Sequence, residues 1–378
     1  MKNLWLALCL SPVLCGCLQK EISNAPLVAP VEEPLQPAVT AIGIAKWYKG
    51  YASAYSPTYD HANYDGPEIA WLIHQGLGVD FEVATELFDK YPSKMDSLKY
   101  LSSLGFGYFG HGHTHVDHDA LSYSEALASF RTNFEHMTKG GLKPVSYAYP
   151  GGWGFEPETR QALKDAGFLS ARMAWHDYDL KRLPYVLQDE ETNPPDWFML
   201  PALYMQSFDF NGCWSCIKND QEFSRFLYES MDHGAWLLSV YHGIGQDGID
   251  RPVSWGFYKL SEFYADMLLA KSLRDEGKLW IASISTVTLY VMERNATTLS
   301  LNSRGKSEFD LHVNNALDKE MFDQPLTVRL GFAEKTFGKH LLITLDGPGG
   351  IQLDTLITAG EMWVDLVPSD HPYRLVLR

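Results

Sequence analysis

The stretch Tyr108–Ala126, "YFGHGHTHVDHDALSYSEA", runs from an apolar segment through four histidines in eight positions into a helix start. His111, His113 and His115 fall on alternate residues at the end of an expected strand, and share one face if the strand continues. Ser122 and Glu125 have capping-box spacing for the helix that follows. A strand leading into a helix is one unit of an alternating α/β chain. Its junction is the carboxyl end of the strand, where parallel α/β folds build their sites. The histidines therefore predict a metal centre, and a hydrolytic metal needs about three protein ligands with one position open to water. A further ligand is expected on another strand end, and "SPTYDHANYDG" (56–66) offers Asp60, His61 and Asp65 there.

Outward from this junction, short apolar runs alternate with helical patterns from about residue 42 to 295. The runs "YASAYSPTY" (51–59), "VDFEVA" (79–84), "GFGYFG" (105–110), "VSYAYP" (145–150), "FLSARM" (168–173), "AWLLSVYH" (235–242) and "LWIASI" (279–284) predict strands. Between them, segments such as "PEIAWLIHQGL" (67–77) and "KLSEFYADMLLAKSL" (259–273) carry apolar residues at helical spacing. This alternation favours an α/β sheet or barrel with parallel strands. Beyond "VMERNA" (291–296) the pattern changes to period-two runs, among them "PLTVRLGF" (325–332) and "YRLVLR" (373–378), with turn signals such as Asp346-Gly347-Pro348. That is the pattern of a small antiparallel sandwich, so a domain boundary is placed near residue 296.

A chain of 378 residues, 46% hydrophobic, can bury one large core and a second smaller one. With 47 acidic against 31 basic residues and no basic run, nucleic acid is not the expected partner; a small molecule or glycan is. The opening "MKNLWLALCLSPVLCGC" (1–17) has Lys2 and an apolar stretch too short to span a bilayer, so it reads as an export signal. Its "LCGC" (14–17) resembles the lipobox of bacterial lipoproteins, which implies cleavage before Cys17, lipidation of its sulfur, and a place in the cell envelope, anchored to a membrane. Residues 18–41, with Pro26, Pro30, Pro34 and Pro37, read as a tether. In an exported chain, Cys213 and Cys216 of "GCWSC" suit a local disulfide, with free thiols or a metal site as the other readings.

Four fragments in order resemble the polysaccharide deacetylases of carbohydrate esterase family four, over roughly residues 42–295. They are "TYDHA" (58–62), "HTHVDH" (113–118), "YAYPGGWG" (147–154) and "LSVYHG" (238–243). The resemblance implies a deformed (β/α) barrel of about seven strands and metal-dependent removal of acetyl groups from N-acetylated glycans. It further implies Asp60 as general base, His242 as general acid, and His113 and His118 as metal ligands. His61 stands where the family has a second aspartate ligand, so a zinc held by His61, His113 and His118 is expected. Asp65 in place of His61, or no metal at all, are the alternatives. The five-residue spacing of His113 and His118 resembles the branch acting on poly-N-acetylglucosamine exopolysaccharide; a pair at spacing two among His111, His113 and His115 is the rival. Pro150 with Gly151 implies an acetyl pocket, and Tyr149 and Trp153 are candidates to stack on sugar rings. Ala148 replaces the family's arginine, so another residue has to orient Asp60. Two alternative functions stay in view: a glycan-binding lipoprotein without catalysis, and an O-acetyl esterase of the acetyl-xylan type.

Overall fold

The computed structural model describes residues 38–60, 64–152, 154–174, 185–186, 196–207, 216–246, 256–345 and 352–378. The first half of the chain gives β1 (Val39–Ile44), β2 (Ser53–Tyr59), α1 (Pro67–Gln75), β3 (Asp80–Val83), α2 (Thr85–Lys90), α3 (Ser93–Ser103), β4 (Gly107–Gly110), α4 (Tyr123–Lys139), β5 (Ser146–Ala148), α5 (Pro157–Asp165) and β6 (Ser170–Arg172). There follow β7 (Leu203–Met205), α6 (Asp220–Asp232), β8 (Trp236–Tyr241), β9 (Gly243–Gly245), β10 (Phe257–Lys259), α7 (Leu260–Asp275), β11 (Leu279–Ile281) and α8 (Ile284–Ala296).

Seven strands form one parallel sheet in the order β6-β5-β4-β3-β2-β8-β7, with β11 beside the start of β2. All seven residues of β2 are buried, as expected for a strand covered on both faces. The sheet curls until its edges meet. Leu200 N donates to Ala171 O at 2.9 Å and Met173 N to Leu200 O at 2.9 Å, so the segment entering β7 bonds to β6 while β7 itself bonds to β8. This is the deformed barrel that the family resemblance implies, and one of the two forms, sheet or barrel, that the alternating pattern left open. Six of the seven expected runs supply β2–β6 and β8; the seventh supplies β11, and the three-residue β7 carries too little apolar period to be read.

The capping box expected at Ser122 is formed: Glu125 N donates to Ser122 Oγ at 3.4 Å and Ser122 N to Glu125 Oε2 at 3.0 Å. Ala126, Phe130, Asn133 and Met137 make the buried stripe of α4.

The carboxyl-terminal strands are β12 (Thr298–Ser303), β13 (Glu308–Asn314), β14 (Leu326–Phe332), β15 (His340–Leu345), β16 (Gln352–Leu356), β17 (Glu361–Leu366) and β18 (Tyr373–Leu377). They form a five-stranded antiparallel sheet, β12-β13-β18-β15-β16, and a three-stranded one, β1-β14-β17. The tether and barrel boundaries therefore need correcting. Val39 pairs with Phe332 and Ala41 with Leu330, so residues 39–41 belong to a sandwich strand and not to a linker, and residues 42–44 continue that strand and do not open the barrel. The reason is burial: Val39 is 1% exposed in the sandwich core, beside Val328, Leu330 and Tyr373. The chain then crosses to the barrel through hydrogen bonds from Ala45 N to Thr327 O and from Tyr290 Oη to Ala45 O, both 2.8 Å. Among the described residues, no helix is long and apolar enough to cross a membrane.

Candidate active site

Because the barrel strands are parallel, the residues after β2, β4, β5 and β8 all open at one mouth. Asp60 follows β2, and its N–H donates to Tyr241 O at 2.8 Å, next to His242. Its carboxylate forms an ion pair with Arg172 at the end of β6. Arg172 is wholly buried, with its guanidinium 4.8 Å from the centre of the Phe109 ring, and Asp60 is 9% exposed. A buried guanidinium needs an anion, and this one fixes where the carboxylate of Asp60 points. Arg172 thus does the orienting that Ala148 cannot. A charged residue inside the apolar run "FLSARM" was the available signal, since such a residue is almost never buried unpaired.

Glu82 of β3 is the second mouth residue that sequence reading missed. Burial, and then the negative charge of Asp60, push its carboxyl up to about 8 against the opposing pull of Arg172, so it is protonated at neutral pH. It faces His111 Nε2 at 3.3 Å. His111 Nδ1 donates to Ala148 O at 2.9 Å, which leaves the lone pair on Nε2. Burial holds the His111 ring neutral by driving its pKa down to about 3, with Asp60 opposing.

The histidines sort onto different elements. The His115 ring lies 5.0 Å from that of His111 at the mouth. His113 is instead tied to Thr85 Oγ1 through Nδ1 at 3.0 Å, and its ring is 5.0 Å from that of His136 on α4. His118 is buried, stacked on Phe130 at 4.3 Å, with Nε2 3.0 Å from Ser129 Oγ, and burial pushes its pKa down to about 4. His113 and His118 are thus held by different partners, and the rings that meet are those of His111 and His115, which stand four apart and not two. The cause is local: Thr85 N and Glu86 N donate to Gly112 O and His113 O, which draws His113 toward α2. His61 lies outside the described residues, and Asp65 is exposed ahead of α1.

The loop after β5 turns at Pro150–Gly152, where Gly151 (φ 72°) and Gly152 (φ 79°) take a left-handed backbone that a side chain would strain. Asp119, one residue after His118, accepts from Gly154 N at 3.0 Å and Phe155 N at 2.9 Å, lashing the histidine loop to this turn. Pro150 is buried and Gly151 exposed at its tip. Tyr149 is 2% exposed and donates its hydroxyl to Phe198 O at 3.1 Å, so it is a core residue and cannot stack on a sugar. Trp153 lies outside the described residues, as do Cys17 and Cys213. Cys216 is buried and disulfide-bonded, its partner also outside them. His242 is half-buried beside Gly256, where an added Cβ would lie 2.8 Å from His242 Cβ and 2.5 Å from Tyr204 Oη.

Asp60 is thus hydrogen-bonded through its backbone to the residue before His242, at the mouth. For a metal, the described mouth residues offer the pairs Glu82–His111 and His111–His115, not three donors converging on one point. Among the described residues, one triple of ligand type exists, Asp89, His113 and His136.

No protein-family model matches the sequence, and no curated protein matches it either. Solved structures similar to this chain are polysaccharide deacetylases and other proteins of the CE4 family. They include a candidate polysaccharide deacetylase from Mycobacterium smegmatis, 16% identical over 71% of this chain and 99% of that one, with a TM-score of 0.44. The peptidoglycan deacetylase PdaC from Bacillus subtilis is 17% identical over 65% of this chain and 93% of that one, with a TM-score of 0.38. A CE4 family pseudoenzyme from Bacillus anthracis is 12% identical over 66% of this chain and 69% of that one, with a TM-score of 0.38.

Proposed function

We propose that the chain is a carbohydrate deacetylase, a hydrolase that releases acetate from N-acetylated sugars of a glycan, with O-acetyl esters as the alternative substrate. The observation that carries this reading is Asp60, whose carboxylate is gripped by buried Arg172 and whose backbone N–H donates to the carbonyl of Tyr241, the residue before His242. In the proposed reaction Asp60 takes a proton from water as the water oxygen bonds to the acetyl carbon. The C–N bond then breaks, and His242 gives a proton to the leaving amine, so the products are acetate and a free amino sugar. Arg172 keeps the Asp60 carboxylate aimed throughout. The Pro150–Gly152 turn closes the mouth beside the acetyl group. Zinc is the metal we propose, and when bound it would polarise the acetyl carbonyl. The described mouth donors do not complete its site without a further residue such as His61, so no step here depends on it. Export and lipidation at Cys17 are part of the same proposal.

A non-catalytic glycan binder is favoured by one observation: among the described residues, no three donors at the mouth converge on one point. Acetate release from chitin oligomers, peptidoglycan, poly-N-acetylglucosamine and acetylated xylan decides between them, with and without added zinc. Asp60→Asn should lower release by about 100-fold or more. Release at the wild-type rate in that variant sinks the assigned base, and binding without any release makes the chain a binder. Cys17→Ser should move the protein out of the membrane fraction; unchanged membrane association would remove the lipoprotein proposal.

A further inference from the structure

The donors of Asp89, His113 and His136 lie within 4.8 Å of one another, on three different segments. None of the three belongs to the set around Asp60, which comprises Arg172, Glu82 and His111. We propose that these three residues form a divalent transition-metal site at the rim between α2 and α4, with zinc the ion that suits it best. Two imidazoles and one carboxylate with solvent beyond them are a borderline-soft, three-ligand set that leaves a fourth position for water.

The framework around the triple is built before any ion arrives. On α2, Thr85 and Asp89 stand four residues apart, and on α4, Asn133 and His136 stand three apart, so each ligand shares a helix face with a residue that holds the His113 loop. Thr85 N donates to Gly112 O at 3.0 Å and Glu86 N to His113 O at 2.9 Å. Asn133 Nδ2, wholly buried, donates to Gly112 O at 2.7 Å and Val83 O at 2.9 Å. The backbone of His113 is thereby fixed from both helices. Its Nδ1 is engaged by Thr85 Oγ1 at 3.0 Å, which leaves Nε2 for an ion, the outer-shell arrangement that orients metal-binding histidines. His136 Nδ1 already meets Asp89 Oδ2 at 3.0 Å, with Asp89 55% and His136 36% exposed, so an ion can reach both from solvent.

The inference does not rest on the deacetylase reading, and its test needs no turnover. The full chain is titrated with zinc by equilibrium dialysis and with cobalt by visible absorption, whose intensity reports low-coordinate geometry. Asp89→Ala and His136→Ala should each remove one equivalent of bound zinc, weakening that site at least about 100-fold, and both should lose the same cobalt band. Thr85→Ser should keep the site, while Thr85→Val should weaken it about 10–100-fold. His118→Ala should leave this equivalent in place. Wild-type zinc stoichiometry and affinity in both Asp89→Ala and His136→Ala, each folded by circular dichroism, would overturn the site. So would a wild-type chain with no zinc equivalent that the two variants lack.

Discussion

At the scale of single residues, the mouth is governed by a few buried charges. Arg172 has Asp60 as its ion-pair partner, so Arg172→Met should leave an uncompensated carboxylate and cost about 3–5 kcal/mol in urea unfolding, part of it recovered in Arg172→Met with Asp60→Asn. The double variant should stay inactive, which separates the stability role of the pair from its chemistry. The titrating groups fix a pH dependence. Burial raises Asp80 to about 7, Glu82 to about 8 and Glu293 to about 7, so each contributes stability in its protonated form that is lost as pH rises through those values. His111 and His118, lowered to about 3 and 4, are held neutral, and their cost appears only as pH falls below the ordinary histidine value of 6.5. Between about pH 6.5 and 8 only the acids still change, so the melting temperature should fall most steeply there, and Glu82→Gln should flatten the fall. A melting temperature that rises over that interval contradicts the assignment of these buried acids.

Elements place these residues through backbone contacts more than through side-chain pairs. The histidine loop is tied to α2 by the amides of Thr85 and Glu86, and to the turn before α5 by Asp119. Asp119→Ala removes the acceptor of three backbone N–H groups at once, those of Gly154, Phe155 and Glu156. It should cost about 1–3 kcal/mol and lower turnover while leaving the zinc equivalent of Asp89, His113 and His136 in place. Chemical unfolding and acetate release read the two effects separately. Equal turnover in the variant would mean that the turn holds its shape without Asp119.

For the whole molecule, β1 decides how far the sandwich can be treated as a separate domain. Its partner β14 lies between β1 and β17, so a fragment of residues 296–378 exposes one edge of β14 together with Val328 and Leu330. That fragment should associate on size exclusion, whereas Leu330→Ala in the full chain should cost about 2–5 kcal/mol and stay monodisperse. A soluble, monomeric, folded fragment would show that β1 is dispensable. Barrel and sandwich are joined further by Gln324 N donating to Glu293 Oε2 at 2.8 Å, at the end of α8.

The sequence by itself determined the parallel α/β class, the change to a sandwich past residue 296, the capping box at Ser122 and the place of Asp60 and His242 at strand ends. Each is a local signal, carried by side-chain period or by residues a few positions apart. Only the tertiary structure decided that β1 leaves the tether to pair with β14, that Arg172 reaches Asp60 across 112 positions, and that Tyr149 belongs to the core. It also decided that His113 turns toward Asp89 and His136 while His111 faces the mouth. The physical reason is common to all of these. Strand edges, buried charges and imidazole rings are satisfied by whichever group the fold brings to them, and that partner is set by packing between segments far apart in the chain.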